Sequence, residues 1–75
     1  MPQTAAQRRA YHVLAHDDRW WVESDDGAVH HSSRDEHDAT AWAIRSAEHD
    51  HGNGLSTIVC VQQRDGGWKT AYESR

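Results

Sequence analysis

Asp35-Glu36-His37-Asp38-Ala39-Thr40-Ala41-Trp42-Ala43-Ile44-Arg45-Ser46-Ala47 is the stretch that decides the fold. Ala39, Trp42, Ala43, Ser46 and Ala47 recur at i, i+3, i+4, i+7 and i+8, which is one face of an α-helix. That stripe is narrow and built of small residues plus one ring. Small residues let a helix lie close on a sheet, and Trp42 is expected to fill the space they leave. Ile44 seals the edge of the stripe, while Arg45 and Glu48 point to solvent. Upstream, Ser33-Arg34-Asp35-Glu36 matches a capping box, with Asp35 and Asp38 as alternative starts. Downstream, Gly52 is the natural stop and Gly52-Asn53-Gly54 a loop. His49 and His51 occupy the last turn, where a charged imidazole suits the helix dipole.

Outward from the helix the period changes to two. Leu55 to Gln63 holds the continuous apolar run Ile58-Val59-Cys60-Val61. Such a run predicts a strand covered on both faces, or a central one. Arg64-Asp65-Gly66-Gly67 is a hairpin turn. It leads to a last strand in which Trp68, Thr70 and Tyr72 share a face. Before the helix, Tyr11-His12-Val13-Leu14-Ala15 and Trp20-Trp21-Val22-Glu23-Ser24 are separated by the polar turn His16-Asp17-Asp18-Arg19. Asp25-Asp26-Gly27 is a second turn, and Ala28-Val29-His30-His31 makes a short third strand. The order is β-β-(β)-α-β-β. It predicts an α+β fold with one helix packed on one face of a small antiparallel sheet of about four strands. Residues 1–10 read as a flexible N-terminal arm, and 11–75 as a single α+β domain.

Alternation sorts the faces. Tyr11, Val13, Ala15, Trp20, Val22 and Ser24 are assigned to the helix-covered side. His12, Leu14, Trp21 and Glu23 are assigned to the other. Neighbouring residues of a strand face opposite ways, so Trp20 and Trp21 cannot both enter one core. One helix cannot cover both faces, so Trp21, Leu14 and His12 mark an outer face available for association. Trp is enriched at the energetic centres of such interfaces.

Length and composition bound the function. The chain has 75 residues, no Phe, four Trp and two Tyr. A domain of this size buries only about 60% of its unfolded surface, so large rings are expected to carry much of the core. A single Cys excludes a disulfide framework and multi-Cys zinc modules. No window approaches the ~20 apolar residues of a membrane span, and no charged-then-apolar start reads as a signal peptide. A cytoplasmic location is the expectation. Eight basic against twelve acidic residues give −4, which argues against a general nucleic-acid binder. Seven Arg to one Lys points, through codon usage, to a GC-rich bacterial genome.

The residues Tyr11-His12-Val13, Trp20-x-Val22, the Ala-rich helix at Ala39–Ala47, the Val-rich strand and Arg64-Asp65-Gly66 follow one known order. In this the chain resembles a small bacterial family known as domain of unknown function 2188, over most of residues 11–74. The resemblance implies a compact α+β domain with a helix on a small sheet. It implies no activity and no functional residue. The chain departs from the family in placing Trp21 beside Trp20, and in a more acidic, His-rich helix.

Seven histidines are the one compositional oddity. Imidazole binds Zn, Ni or Cu, which makes His12, His16, His30 and His31 candidate ligands, with Cys60 or an Asp to complete a shell. No HxxxH pair lies within the helix, so solvated surface histidines are the stronger reading. With every imidazole charged, eight Lys and Arg plus seven His against twelve acids give +3, so the sign of the domain flips where His titrates. Cys60 sits mid-strand between Val59 and Val61, lacks a flanking basic cluster and reads as a buried, inert thiol. The paired acids Asp17-Asp18, Asp25-Asp26 and Asp35-Glu36 sit at turns or a helix start, where Asp serves the backbone. No nucleophile elbow or phosphate loop is present. The expectation is a non-enzymatic domain, without cofactor, that forms a homodimer or binds a protein partner. A His-based metal protein is one rival. A nucleic-acid accessory module using Trp21, Lys69 and Arg64 is the other, weakened by the acidic charge.

Overall fold

A computed structural model describes residues 8–74. The elements are β1 (Arg8–His16), β2 (Arg19–Ser24), β3 (Val29–Ser33), α1 (Glu36–Gly52), β4 (Ser56–Gln62) and β5 (Trp68–Glu73). They form one five-stranded sheet in the order β3-β2-β1-β4-β5, with α1 on one face. The α+β class and the β-β-β-α-β-β order are those expected. The sheet is mixed, however, rather than wholly antiparallel. β1 and β4 run parallel at its centre, with Tyr11 opposite Val59 and Val13 opposite Val61. The reason is the crossover. The meander ends at the β3 edge, and α1 carries the chain back across the sheet to the free side of β1.

Local chemistry sets the joints. The β1–β2 hairpin turns on Asp17 and Asp18 alone, both left-handed at φ 53° and 64°. A two-residue turn of this hand fits the twist of its strands, and Asp tolerates the conformation. Asp35 is the helix N-cap, its carboxylate accepting from the His37 amide at 3.3 Å, and Ser33 Oγ accepts from the Asp35 amide at 3.1 Å. The helix runs through Gly52, its last residue, as expected, and Asn53 is the C-cap. The left-handed residue beyond it is Gly54 at φ 95°. Residues 8–10 also lie in β1, with Ala10 paired to Ile58, so the expected arm is strand over that part. Residues 1–7 of it lie outside the described residues.

The core differs from the expected one in its residues. Tyr11, Val13, Val22, Ala39, Ala43, Ala47, Val59 and Val61 are buried, and no tryptophan is among them. Trp20 and Trp42 pack half-buried against this cluster. The alanine ridge at i, i+4 and i+8 brings α1 so close to the sheet that no gap is left for an indole. Trp42, about 100° round the helix from Ala43, goes to the flank. There it stacks on His31 with ring centroids 5.2 Å apart and planes 1° from parallel. Ala15 faces the helix side but is exposed, because its end of the hairpin extends beyond the helix.

Two bulges reset faces that strict alternation misassigns. Between β2 and β3, Val22 pairs with His31 and Glu23 with Val29, leaving His30 as the extra residue. Both histidines consequently approach Trp42. Between β4 and β5, Val59 pairs with Tyr72 and Cys60 with Thr70, leaving Ala71 extra. Trp68 and Thr70 thus lie on the outer face, while Tyr72 turns to the helix side and packs against the core. The single face expected for Trp68, Thr70 and Tyr72 is broken at that bulge.

Candidate association face on the open side of the sheet

Directly opposed residues of neighbouring strands share a face. The register therefore draws rows across the side that α1 leaves open. One row runs Val29, Glu23, His12, Cys60, Thr70. The next runs Ser32, Trp21, Leu14, Gln62, Trp68, and Ala10, Ile58 and Glu73 form a third. Trp21, Leu14 and His12 lie together on this face, as the period of two predicts. Its most open apolar side chains are Val29, 55% exposed, and Trp68, 49% exposed, one on each edge strand.

Trp21 is tied down rather than free. Its indole N–H donates to the His16 carbonyl at 2.8 Å, which leans the ring along the hairpin. Leu14, His16, Trp21 and Glu23 then line a shallow, open hollow of about 410 Å³. Trp68 leans inward from the far edge, its ring edge-on to His12 at 5.3 Å. The charged groups of the face are Arg8, Arg19, Glu23 and Glu73, so it is neutral on a chain of net −4. Ile58 and Cys60 join Leu14 on this face through their pairing with Ala10 and His12, and Cys60, expected to be buried, is half-exposed there. Val29 and Trp68 are additions that the sequence does not place: the pairing with Glu23 brings in the one and the pairing with Gln62 the other.

The other candidates do not converge. His12 is on the open face, and His30 and His31 are on the helix side. His16 sits at the β1–β2 turn, 3.2 Å from Asp17, with both side chains exposed. Among the described residues no group of three His, Cys, Asp or Glu is placed to hold a metal. Arg64 lies in the β4–β5 turn, and Lys69 pairs with Val61 on the helix side, away from Trp21.

The helix side carries a polar network that sequence reading missed. The Tyr11 hydroxyl donates to Asp50 Oδ2 at 2.6 Å. Burial, and then this bond, push the Tyr11 phenol above its ordinary value. Ser24 Oγ donates to Asp26, and His30 Nε2 lies 2.9 Å from the same Ser24 oxygen. The Ser24 hydroxyl, with the Ala28 amide, holds the Asp26 carboxyl below the usual carboxylate range. An ionised Asp26 can only accept, so the Ser24 proton points to it and His30 must donate to Ser24. A nucleophilic serine needs the reverse order, with its proton aimed at the imidazole. This trio is a clasp for the β2–β3 turn. His31 Nε2 also meets Asp38 at 3.1 Å, and that contact, followed by Ser33, lowers the Asp38 pKa.

No protein-family model matches the chain, and neither a curated protein nor a solved structure matches it. No helix among the described residues is long and apolar enough to cross a membrane.

Proposed function

We propose that this chain is a non-enzymatic association domain of a bacterial cytoplasm, and that it works through the open face of its sheet. The single observation that carries the reading is the row Trp21, Leu14, Gln62, Trp68. Two tryptophans and a leucine lie on the side the helix leaves uncovered. Apolar surface left in water costs about 25 cal/mol per Å², and a partner removes that cost. Trp rings also supply large contact area with only two side-chain torsions to freeze, which keeps the entropy of docking low. The matched partner is an apolar protein surface of low net charge. A strongly acidic or basic polymer finds no complementary field on a face with two arginines and two glutamates.

The experiment is photo-cross-linking in cells of the source organism. A photoreactive side chain is placed at Thr70 on the open face or at Glu48 on the exposed side of α1. Covalent protein adducts are expected from position 70 and not from 48. Adducts from neither position, or equally from both, overturn the reading. Strongly salt-dependent binding of a single-stranded oligonucleotide, lost in Trp21→Ser, would move the assignment to nucleic acid.

A further inference from the structure

The open face carries both halves of a fit. Trp68 is a knob, half in solvent and leaning inward over His12. The depression among Leu14, His16, Trp21 and Glu23, about 410 Å³ and open to solvent, is the matching hole. Knob and hole spring from the same row, on opposite sides of the central strand β1: Trp68 on β5, its ring inclined toward the neighbouring His12 row, and Trp21 on β2 paired with Leu14, in a hollow that reaches Glu23 of that neighbouring row. We infer that the partner of this face is a second copy of the chain, with the Trp68 ring of each copy seated in the Leu14–Trp21 hollow of the other. This rests on the reading of the open face as the association surface, and names its occupant.

Symmetry makes the argument. A two-fold axis parallel to the strands and close to β1 turns one sheet face onto another. It keeps each row over the same row and exchanges the β5 side with the β2–β3 side. One rotation then seats both knobs in both holes, as an isologous interface requires. A lone knob on this surface would suit an unrelated partner equally well. A knob and a hole in one row, flanking the sheet centre, suit a copy.

Charge and area agree. The chain is −4 overall, which opposes self-association, but the face itself is neutral and spares the interface that repulsion. Five strands at about 4.8 Å spacing and about 20 Å of length span roughly 480 Å² in projection. Side-chain relief raises the accessible area toward the ~800 Å² per partner of a standard interface. The two sheets would stack about 10 Å apart, the spacing of packed β-sheets.

The test is sedimentation equilibrium of the full chain and of two complementary variants. Wild type is expected to be a dimer. Trp68→Ala removes the knob and Leu14→Trp fills the hole. Each alone is expected to weaken the dimer at least about thirtyfold, the effect of losing an anchor residue at an interface centre. Their equimolar mixture restores one knob–hole pair, so it is expected to form a heterodimer tighter than either homodimer. Circular dichroism establishes that each variant keeps its fold. If Leu14→Trp does not fold, Trp21→Ser, which opens the hole, replaces it and weakens the homodimer equally. Wild type that stays monomeric at millimolar concentration overturns the second copy. So does a dimer indifferent to Trp68→Ala. The cross-link at position 70 separates the two claims. Adducts of masses other than twice the chain would leave the open face as the association surface and sink only the self-pairing.

Discussion

Tyr11 joins strand, helix and pH response in one side chain. Its ring is 3% exposed and its hydroxyl reaches Asp50 near the end of α1, so it pins β1 to the helix from within the core. Tyr11→Phe keeps the ring and deletes the bond. Equilibrium urea unfolding is expected to show a loss of about 1 kcal/mol, the usual net value of one such hydrogen bond. The sign of the pH effect follows from the raised phenol. A pKa that is higher folded than unfolded gives stability that is complete below the unfolded value, about 10, and is lost as pH rises through the folded value. Wild type is therefore expected to lose stability above about pH 10 more steeply than Tyr11→Phe. Parallel curves would remove Tyr11 as the cause. Trp42 makes the contrasting case. Its ring is half-buried on the flank of α1 against His31, so Trp42→Ala is expected to cost about 2 kcal/mol in the same measurement. Full burial of such a ring would make the loss ~3–5 kcal/mol.

Helix α1 shows how little apolar surface an element needs when its contact is close. Three alanines, Ala39, Ala43 and Ala47, are its buried residues. A close-packed ridge of methyls forbids growth. Ala43→Leu is expected to destabilise by about 1–3 kcal/mol, read from the shift of the urea midpoint, because the added atoms meet the valines of β1 and β4. The N-cap is the other point of definition. Asp35→Ala leaves the His37 amide without its acceptor and is expected to cost about 1 kcal/mol. In the strands the informative features are the bulges. The extra residue at His30 delivers two consecutive imidazoles to the helix side, where His30 clasps Ser24 and His31 meets Asp38. The extra residue at Ala71 sends Tyr72 inward and leaves Trp68 outside. One inserted residue on each edge strand thus builds the polar clasp on one face and the knob on the other.

At the scale of the whole molecule, a single helix on a five-stranded sheet leaves one face in water. A chain of 75 residues with a core of valines, alanines and one tyrosine has little stability to spare. Association that binds only the folded form adds stability in proportion to the logarithm of concentration. The melting temperature of wild type is therefore expected to rise with protein concentration from micromolar to millimolar. That of Trp21→Ser with Trp68→Ser is expected to stay flat. Trp20→Ser is expected to lower the melting temperature at every concentration instead, because Trp20 packs half-buried on the core from the opposite face.

The order of elements, the helix with its buried alanines, and the faces of β1 and β2 are legible in the chain alone. Each of these is local. A 3.6-residue period, a period of two, a capping aspartate and the Asp-Gly turns act within a few residues of chain. The facing of Trp21 away from Trp20 follows from alternation alone. Tertiary structure decided what depends on pairing at a distance. The parallel β1–β4 junction is set by where the crossover lands, and nothing within either strand records its neighbour's direction. The bulges at His30 and Ala71 appear only when two registers are laid side by side, so the faces of His30, His31, Trp68 and Tyr72 were beyond a single-strand reading. The spacing of Trp42 fits the stripe and predicts a place in the core. The distance between helix and sheet, set by the alanines, left no room for it there. The hollow beside Trp21 and the knob of Trp68 met on one face for the same reason: the register of five strands joins residues that the chain keeps 47 positions apart.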